Sequence, residues 1–100
     1  MSGTIMRRIV VRGRVQQVGY RAWTQHTAVR HGLDGWVRNR TDGSVEALLV
    51  GSEAAVQIMI EACWRGPAAA NVDALDVHEA EPAELAMRAG DGAFSVLPTA

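Results

Sequence analysis

The stretch Leu33-Asp34-Gly35-Trp36-Val37-Arg38-Asn39-Arg40-Thr41-Asp42-Gly43-Ser44-Val45-Glu46-Ala47-Leu48-Leu49-Val50 decides the fold, because it reads as two strands folded back on each other. A tight hairpin needs residues that accept positive φ, and the Asp42-Gly43 pair supplies them between strands at 33–40 and 44–50. Upstream, Arg21 to His31 contains no Gly or Pro and Gly32 follows as a stop, so a helix of about three turns is expected there. Its amphipathicity is weak. Earlier still, residues 5–12 are rich in β-branched side chains and read as a strand, with residues 13–19 as the connecting loop. Downstream of Gly51, the residues Val56, Met59, Ile60 and Cys63 fall at i, i+3, i+4 and i+7, which places a helix over 53–65 with that stripe on the core. Gly66-Pro67 ends it. Leu75 and Val77 alternate with Asp76 and His78 in a fourth strand, residues 80–89 read as loop or helical turn, and residues 93–97 form a short fifth strand after the Gly90-Asp91-Gly92 turn.

The order strand, helix, strand, strand, helix, strand fits a split βαβ arrangement, an α+β sandwich with two helices on one face of an antiparallel sheet and a short fifth strand added. A length of 100 residues with 48% hydrophobic content suits one domain, expected over residues 1–100 with its core at about 5–97. A formal net charge of -1 argues against a nucleic-acid carrier, which usually shows a strong basic excess. All ten basic residues are Arg, which excludes Schiff-base lysine chemistry and the P-loop lysine. The single Cys63 cannot form an intrachain disulfide, no apolar run approaches membrane-spanning length, and only four residues precede the first strand. The expectation is a soluble cytoplasmic protein, monomeric by default, without a membrane or nucleic-acid partner.

The loop Gly13-Arg14-Val15-Gln16-Gln17-Val18-Gly19-Tyr20-Arg21 connects a strand to a helix, where backbone N–H groups converge and the helix dipole adds positive charge. The planar guanidinium of Arg21, at the start of that helix, can hold two phosphate oxygens at once. By itself the loop reads more readily as an ordinary connector with a solvated arginine, and Asn39 alone as a strand-end residue bonding a turn backbone.

Together, Gly-Arg-Val-Gln-x-Val-Gly-Tyr-Arg at 13–21 and, eighteen residues after Arg21, Gly-Trp-Val-Arg-Asn-x-x-Asp-Gly-Ser-Val-Glu at 35–46 resemble the two signature motifs of the acylphosphatase family. The resemblance continues through Gly51, Val56, Gly66-Pro67-x-Ala69 and Phe94, and spans roughly residues 5–97. It implies a ferredoxin-like α/β sandwich in which Val15, Gln16, Gln17, Val18, Gly19, Tyr20 and Arg21 cradle a phosphoryl group. It further implies that Arg21 binds phosphate and Asn39 orients the attacking water. The substrate would be a small acyl phosphate, with inorganic phosphate as a product and no cofactor or metal. Position 17 is usually glycine in that family and is Gln17 here, so the loop geometry depends on whether this position takes φ > 0.

Other chemistry finds little support. His26 and His31 are five apart, unlike the i, i+4 pair of helical zinc sites, and read as surface or packing residues. Cys63, in the apolar stripe, reads as a buried inert thiol. Trp36 reads as a core or partly exposed sheet residue, Trp23 and Trp64 as packing residues, and Glu79, Glu81 and Glu84 as a solvated face. No Gly-x-Ser-x-Gly elbow accompanies a serine, and the Arg/Lys-Gly-aromatic signature of RNA-recognition strands is absent. The rival class is a non-catalytic ferredoxin-like anion-binding or regulatory module that keeps the loop without efficient turnover.

Overall fold

The computed structural model describes residues 3–87 and 94–100. Five strands and three helices follow in the order β1 (Thr4–Arg14), α1 (Tyr20–Arg30), β2 (Asp34–Asn39), β3 (Val45–Ser52), α2 (Glu53–Cys63), β4 (Asn71–Glu79), α3 (Pro82–Leu85) and β5 (Phe94–Val96). The sheet runs β4-β1-β3-β2-β5. Its first four strands pair antiparallel, as the alternating sequence patterns imply. β5 joins the β2 edge in parallel, with Val37 opposite Val96, an orientation that no local pattern specified. The expected Gly90-Asp91-Gly92 turn and Ala93 lie outside the described residues.

Alternation along the strands sorts the side chains onto two faces. Ile9 and Val11 of β1, Val45, Ala47 and Leu49 of β3 and Val37 of β2 meet Val56, Met59, Ile60 and Cys63 of α2 and Ala28 of α1 in the main core. Each of the valine, leucine, isoleucine and methionine side chains among them, once buried, stabilises the fold by about 1.5–3 kcal/mol. The stripe read from α2 is therefore its buried face. α1 hides its core face from hydropathy because two of its four buried residues are Thr24 and Thr27. The Thr24 hydroxyl is satisfied within the helix, donating to the Tyr20 carbonyl at 2.8 Å.

The opposite face of the sheet carries Trp36, Leu48, Val50 and Leu97, with Leu85 of α3 packed against them. Here Glu46, 5% exposed, accepts from Arg38 at 2.8 Å and Arg8 at 3.2 Å. The Trp36 indole donates to the Glu84 carbonyl at 2.7 Å, so Glu84 belongs to a docked turn and not only to a solvated face. β4 runs longer than Leu75 and Val77 suggested. As an edge strand it buries Leu75 but leaves Val77 47% exposed. Trp64, expected to pack, is 48% exposed at the end of α2, while Trp36 is buried and Trp23 packs against the main core.

The ends of the elements are set by local chemistry. Ser52 caps α2, its hydroxyl accepting from the Ala55 N–H at 3.1 Å. After α1, the Gly32 and Leu33 N–H groups return to the Val29 and Ala28 carbonyls, the Schellman pattern that ends the helix where Gly32 was read as a stop. In the hairpin, Gly43 takes φ 94, Arg40 donates to the Ser44 carbonyl at 2.8 Å, and Asp42 accepts from the Ser44 N–H and hydroxyl. Asp42 does not itself adopt positive φ, so the turn uses one left-handed residue of the Asp-Gly pair. Among the described residues no helix is long and apolar enough to cross a membrane.

Candidate functional site

The loop between β1 and α1 turns sharply twice. Gln17 adopts φ 63, the single positive-φ non-glycine among the described residues, and Gly19 adopts φ 81 as the N-cap of α1. The question raised by Gln17 is thereby answered: the position is left-handed, and the glutamine tolerates it at a cost of about 1–2 kcal/mol relative to glycine. No side chain caps α1 and no acidic residue occupies its first turn. The first-turn N–H groups have no intrahelical acceptor, and the helix dipole makes this end electrostatically suited to negative charge.

Tyr20 fastens this loop to the core. Its ring is buried, and its hydroxyl donates to the Cys63 carbonyl at the end of α2, at 2.5 Å. Burial pushes the phenol far above its ordinary pKa, so it remains a neutral anchor. Burial likewise pushes the Cys63 thiol up to about 12, partly offset by Tyr20, which fits an inert thiol. His26 and His31 are both exposed.

A cavity of ≈ 320 Å³ opens beside the loop, and Arg21 and Asn39 both line it. Asn39 reaches it because β2 alternates: Val37 points to the helix side, Arg38 turns away to Trp36 and Glu46, and Asn39 returns to the helix side. Arg21 is half-buried and has no hydrogen bond or ion pair among the described residues. Asn39 Oδ1 is buried without a hydrogen-bond partner among the described residues, and an acceptor left so costs a folded protein about 1–3 kcal/mol. Among the described residues, the site therefore brings the unpaired Arg21 guanidinium, the unpartnered Asn39 Oδ1 and a helix N-terminus to the same space.

Of the other residues expected in the cradle, Val15, Gln17, Gly19 and Tyr20 line the cavity. Gln16 and Val18 do not: Gln16 sends its amide to the Arg40 and Ser44 carbonyls, and Val18 packs against the core. Three lining residues were not anticipated, namely Ala22, Gln25 and Val96. Gln25 is one helical turn beyond Arg21, a spacing that could have signalled it, and its amide donates to the Phe94 carbonyl at 3.0 Å. Val96 arrives only through the β2–β5 pairing. Among the described residues no group of three His, Cys, Asp or Glu side chains is disposed to hold a metal ion.

The split βαββαβ sandwich defines the class, a ferredoxin-like α+β protein, and Arg21 and the uncapped start of α1 line one cavity of it. Within that class, the acylphosphatase family model matches residues 7–88. An acylphosphatase of Rhodopseudomonas palustris is 55% identical over 95 residues, covering 95% of this chain and 96% of that protein. One of Bradyrhizobium diazoefficiens is 48% identical over 99 residues, covering 99% of each. The crystal structure of acylphosphatase from Bacillus subtilis superposes with a TM-score of 0.80 at 39% identity, covering 93% of this chain and 98% of that one. The chain belongs to the acylphosphatase family.

Proposed function

We propose that this protein hydrolyses small acyl phosphates to a carboxylate and inorganic phosphate by direct attack of water at phosphorus. The observation that carries the reading is the meeting of Arg21 and the unpartnered Asn39 Oδ1 on one cavity. Family membership supports the reaction, and the cavity chemistry supports the route. Arg21 and the first-turn N–H groups of α1 hold the phosphoryl oxygens and stabilise the charge that develops on them. Asn39 Oδ1 accepts a hydrogen bond from the attacking water and so fixes its position. The new bond forms from the water oxygen to phosphorus, the bond from phosphorus to the acyl oxygen breaks, the carboxylate leaves with that electron pair, and the water protons remain on the phosphate product. A carboxylate is a good leaving group, so no strong general acid is needed.

Phosphate release from benzoyl phosphate tests the reading, and it should survive exhaustive treatment with EDTA. Binding of inorganic phosphate without release from benzoyl phosphate would instead mark a non-catalytic anion-binding module. The reading extends to a single-domain monomer acting in the cytoplasm, supported by the unpaired buried Cys63 and the modest net charge of -1. Analytical ultracentrifugation checks the monomer.

A further inference from the structure

The geometry points to Gln16 as a positioning residue that holds Asn39 at a set distance from the phosphate loop, through the backbone of the β2–β3 turn. The inference rests on the hydrolytic role of Asn39 proposed above and adds a residue that does not touch substrate. Asn39 is the last residue of β2, paired with Val45 at the end of the ladder. Beyond it the Arg40 N–H makes one more hairpin bond, to the Ser44 carbonyl at 2.8 Å, and the chain then leaves the ladder, so the segment carrying Asn39 sits at the frayed end of the sheet.

Two remote parts of the molecule take over that task. On one side, the Ala100 N–H donates to the Asn39 carbonyl at 3.0 Å, and the Thr41 N–H donates to the Ala100 carbonyl at 2.8 Å. These bonds extend the strand edge and hold residues 39–41 to the C-terminal segment. On the other side, Gln16 Nε2 donates to the Arg40 carbonyl at 2.8 Å and to the Ser44 carbonyl at 2.9 Å. The Ala100 bonds tie the segment to the β5 side of the fold and say nothing about the phosphate loop. Gln16 is the member of that loop whose side chain reaches across to the turn, twenty-four residues further along the chain.

The choice of residue follows from the acceptors. Both partners are carbonyls, so the clamp needs a donor, and a neutral amide provides two N–H groups on one nitrogen without adding charge beside the phosphate site. The same commitment removes the Gln16 Nε2 group from phosphate binding. Because Asn39 Oδ1 has no hydrogen-bond partner among the described residues to hold it, the placement of this acceptor depends on its backbone. A displacement of about 1 Å in such a group can cost on the order of 10²-fold in rate.

Gln16→Leu, similar in size but without donors, tests the assignment. The expected result is a fall in kcat of about tenfold or more, while the inhibition constant for inorganic phosphate stays within about threefold, because Arg21 and the helix N-terminus are untouched. The readout independent of turnover is the Asn39 side-chain amide signal in a ¹⁵N–¹H spectrum: one sharp pair in the parent, shifted or doubled in the variant. Gln16→Asn, which keeps the amide but falls one methylene short, should give an intermediate loss. Lowered thermal stability with kcat and the Asn39 signal unchanged would make Gln16 merely structural and overturn the assignment. Parallel loss of turnover and phosphate affinity would place Gln16 in the cradle and overturn it equally. If the parent released no phosphate, the hydrolytic reading would fail, and an Asn39 signal unmoved by the substitution would separately refute the clamp.

Discussion

The hydroxyl of Tyr20 donates to the backbone carbonyl of Cys63 at 2.5 Å, joining the first residue of α1 to the last residue of α2. Gly66 lies against the same ring, and a Cβ there would come within 2.5 Å of it. The loop between β1 and α1 is thus anchored at its helical end by a buried contact between the two helices. Tyr20→Phe should lower unfolding free energy by about 1–2 kcal/mol, the net value of a buried hydrogen bond whose carbonyl partner is left without its donor. Urea denaturation at neutral pH measures it, and a midpoint unchanged from the parent would show that the bond carries no net stability.

Arg21→Ala should reduce kcat/KM by about 10³ or more, the scale set by arginines that stabilise charge in phosphoryl transfer. Its side chain makes no structural hydrogen bond or ion pair among the described residues, so circular dichroism should not change. Activity within a few-fold of the parent would remove Arg21 from the mechanism.

Asn39→Ala should separate turnover from stability. Losing the acceptor that places the water lowers kcat far more than it weakens inhibition by phosphate. Removing a buried acceptor that has no partner should leave thermal stability equal to the parent or raise it by up to about 1 kcal/mol. Collapse of phosphate affinity with turnover at saturation preserved would reverse the roles assigned to Arg21 and Asn39.

Gln17→Gly should relieve the left-handed backbone at φ 63, a gain of about 1–2 kcal/mol. Glycine also widens the unfolded ensemble, an opposing effect of up to about 1 kcal/mol, so the net stabilisation is small. Phosphate inhibition or kcat/KM should improve with the pH profile unaltered. Simultaneous loss of stability and phosphate affinity would show that the Gln17 side chain contributes more than its backbone costs.

Asp42 supplies a pH dependence. Hydrogen bonds from the Ser44 hydroxyl and N–H, with Arg12 and Arg40 nearby, hold its carboxyl at about 2 instead of 3.8. A carboxyl depressed on folding contributes stability above its unfolded pKa and loses it as pH falls through the folded value. The advantage of the parent over Asp42→Asn should therefore be constant near neutrality, decline below pH 3.8 and vanish near about 2. A gap between the two proteins that stayed constant down to pH 2 in urea denaturation would contradict this.

Much of this protein was determined by the sequence alone, wherever the physics is local. The Asp42-Gly43 turn, the α2 stripe of Val56, Met59, Ile60 and Cys63 and the stop at Gly32 each follow from the dihedral preferences or periodicity of a few neighbouring residues. The joint placement of Arg21 and Asn39 came from the resemblance of their two motifs to those of the acylphosphatase family, and both residues line one cavity. Tertiary structure decided the rest. The parallel seat of β5 brought Val96 to the site, the edge position of β4 left Val77 exposed, and Gln16 found its acceptors across the loop at Arg40 and Ser44. The physical reason is common to these cases: a side chain's own chemistry states what partner it can take, but which backbone carbonyl or cavity lies within its reach is settled only when distant segments pack.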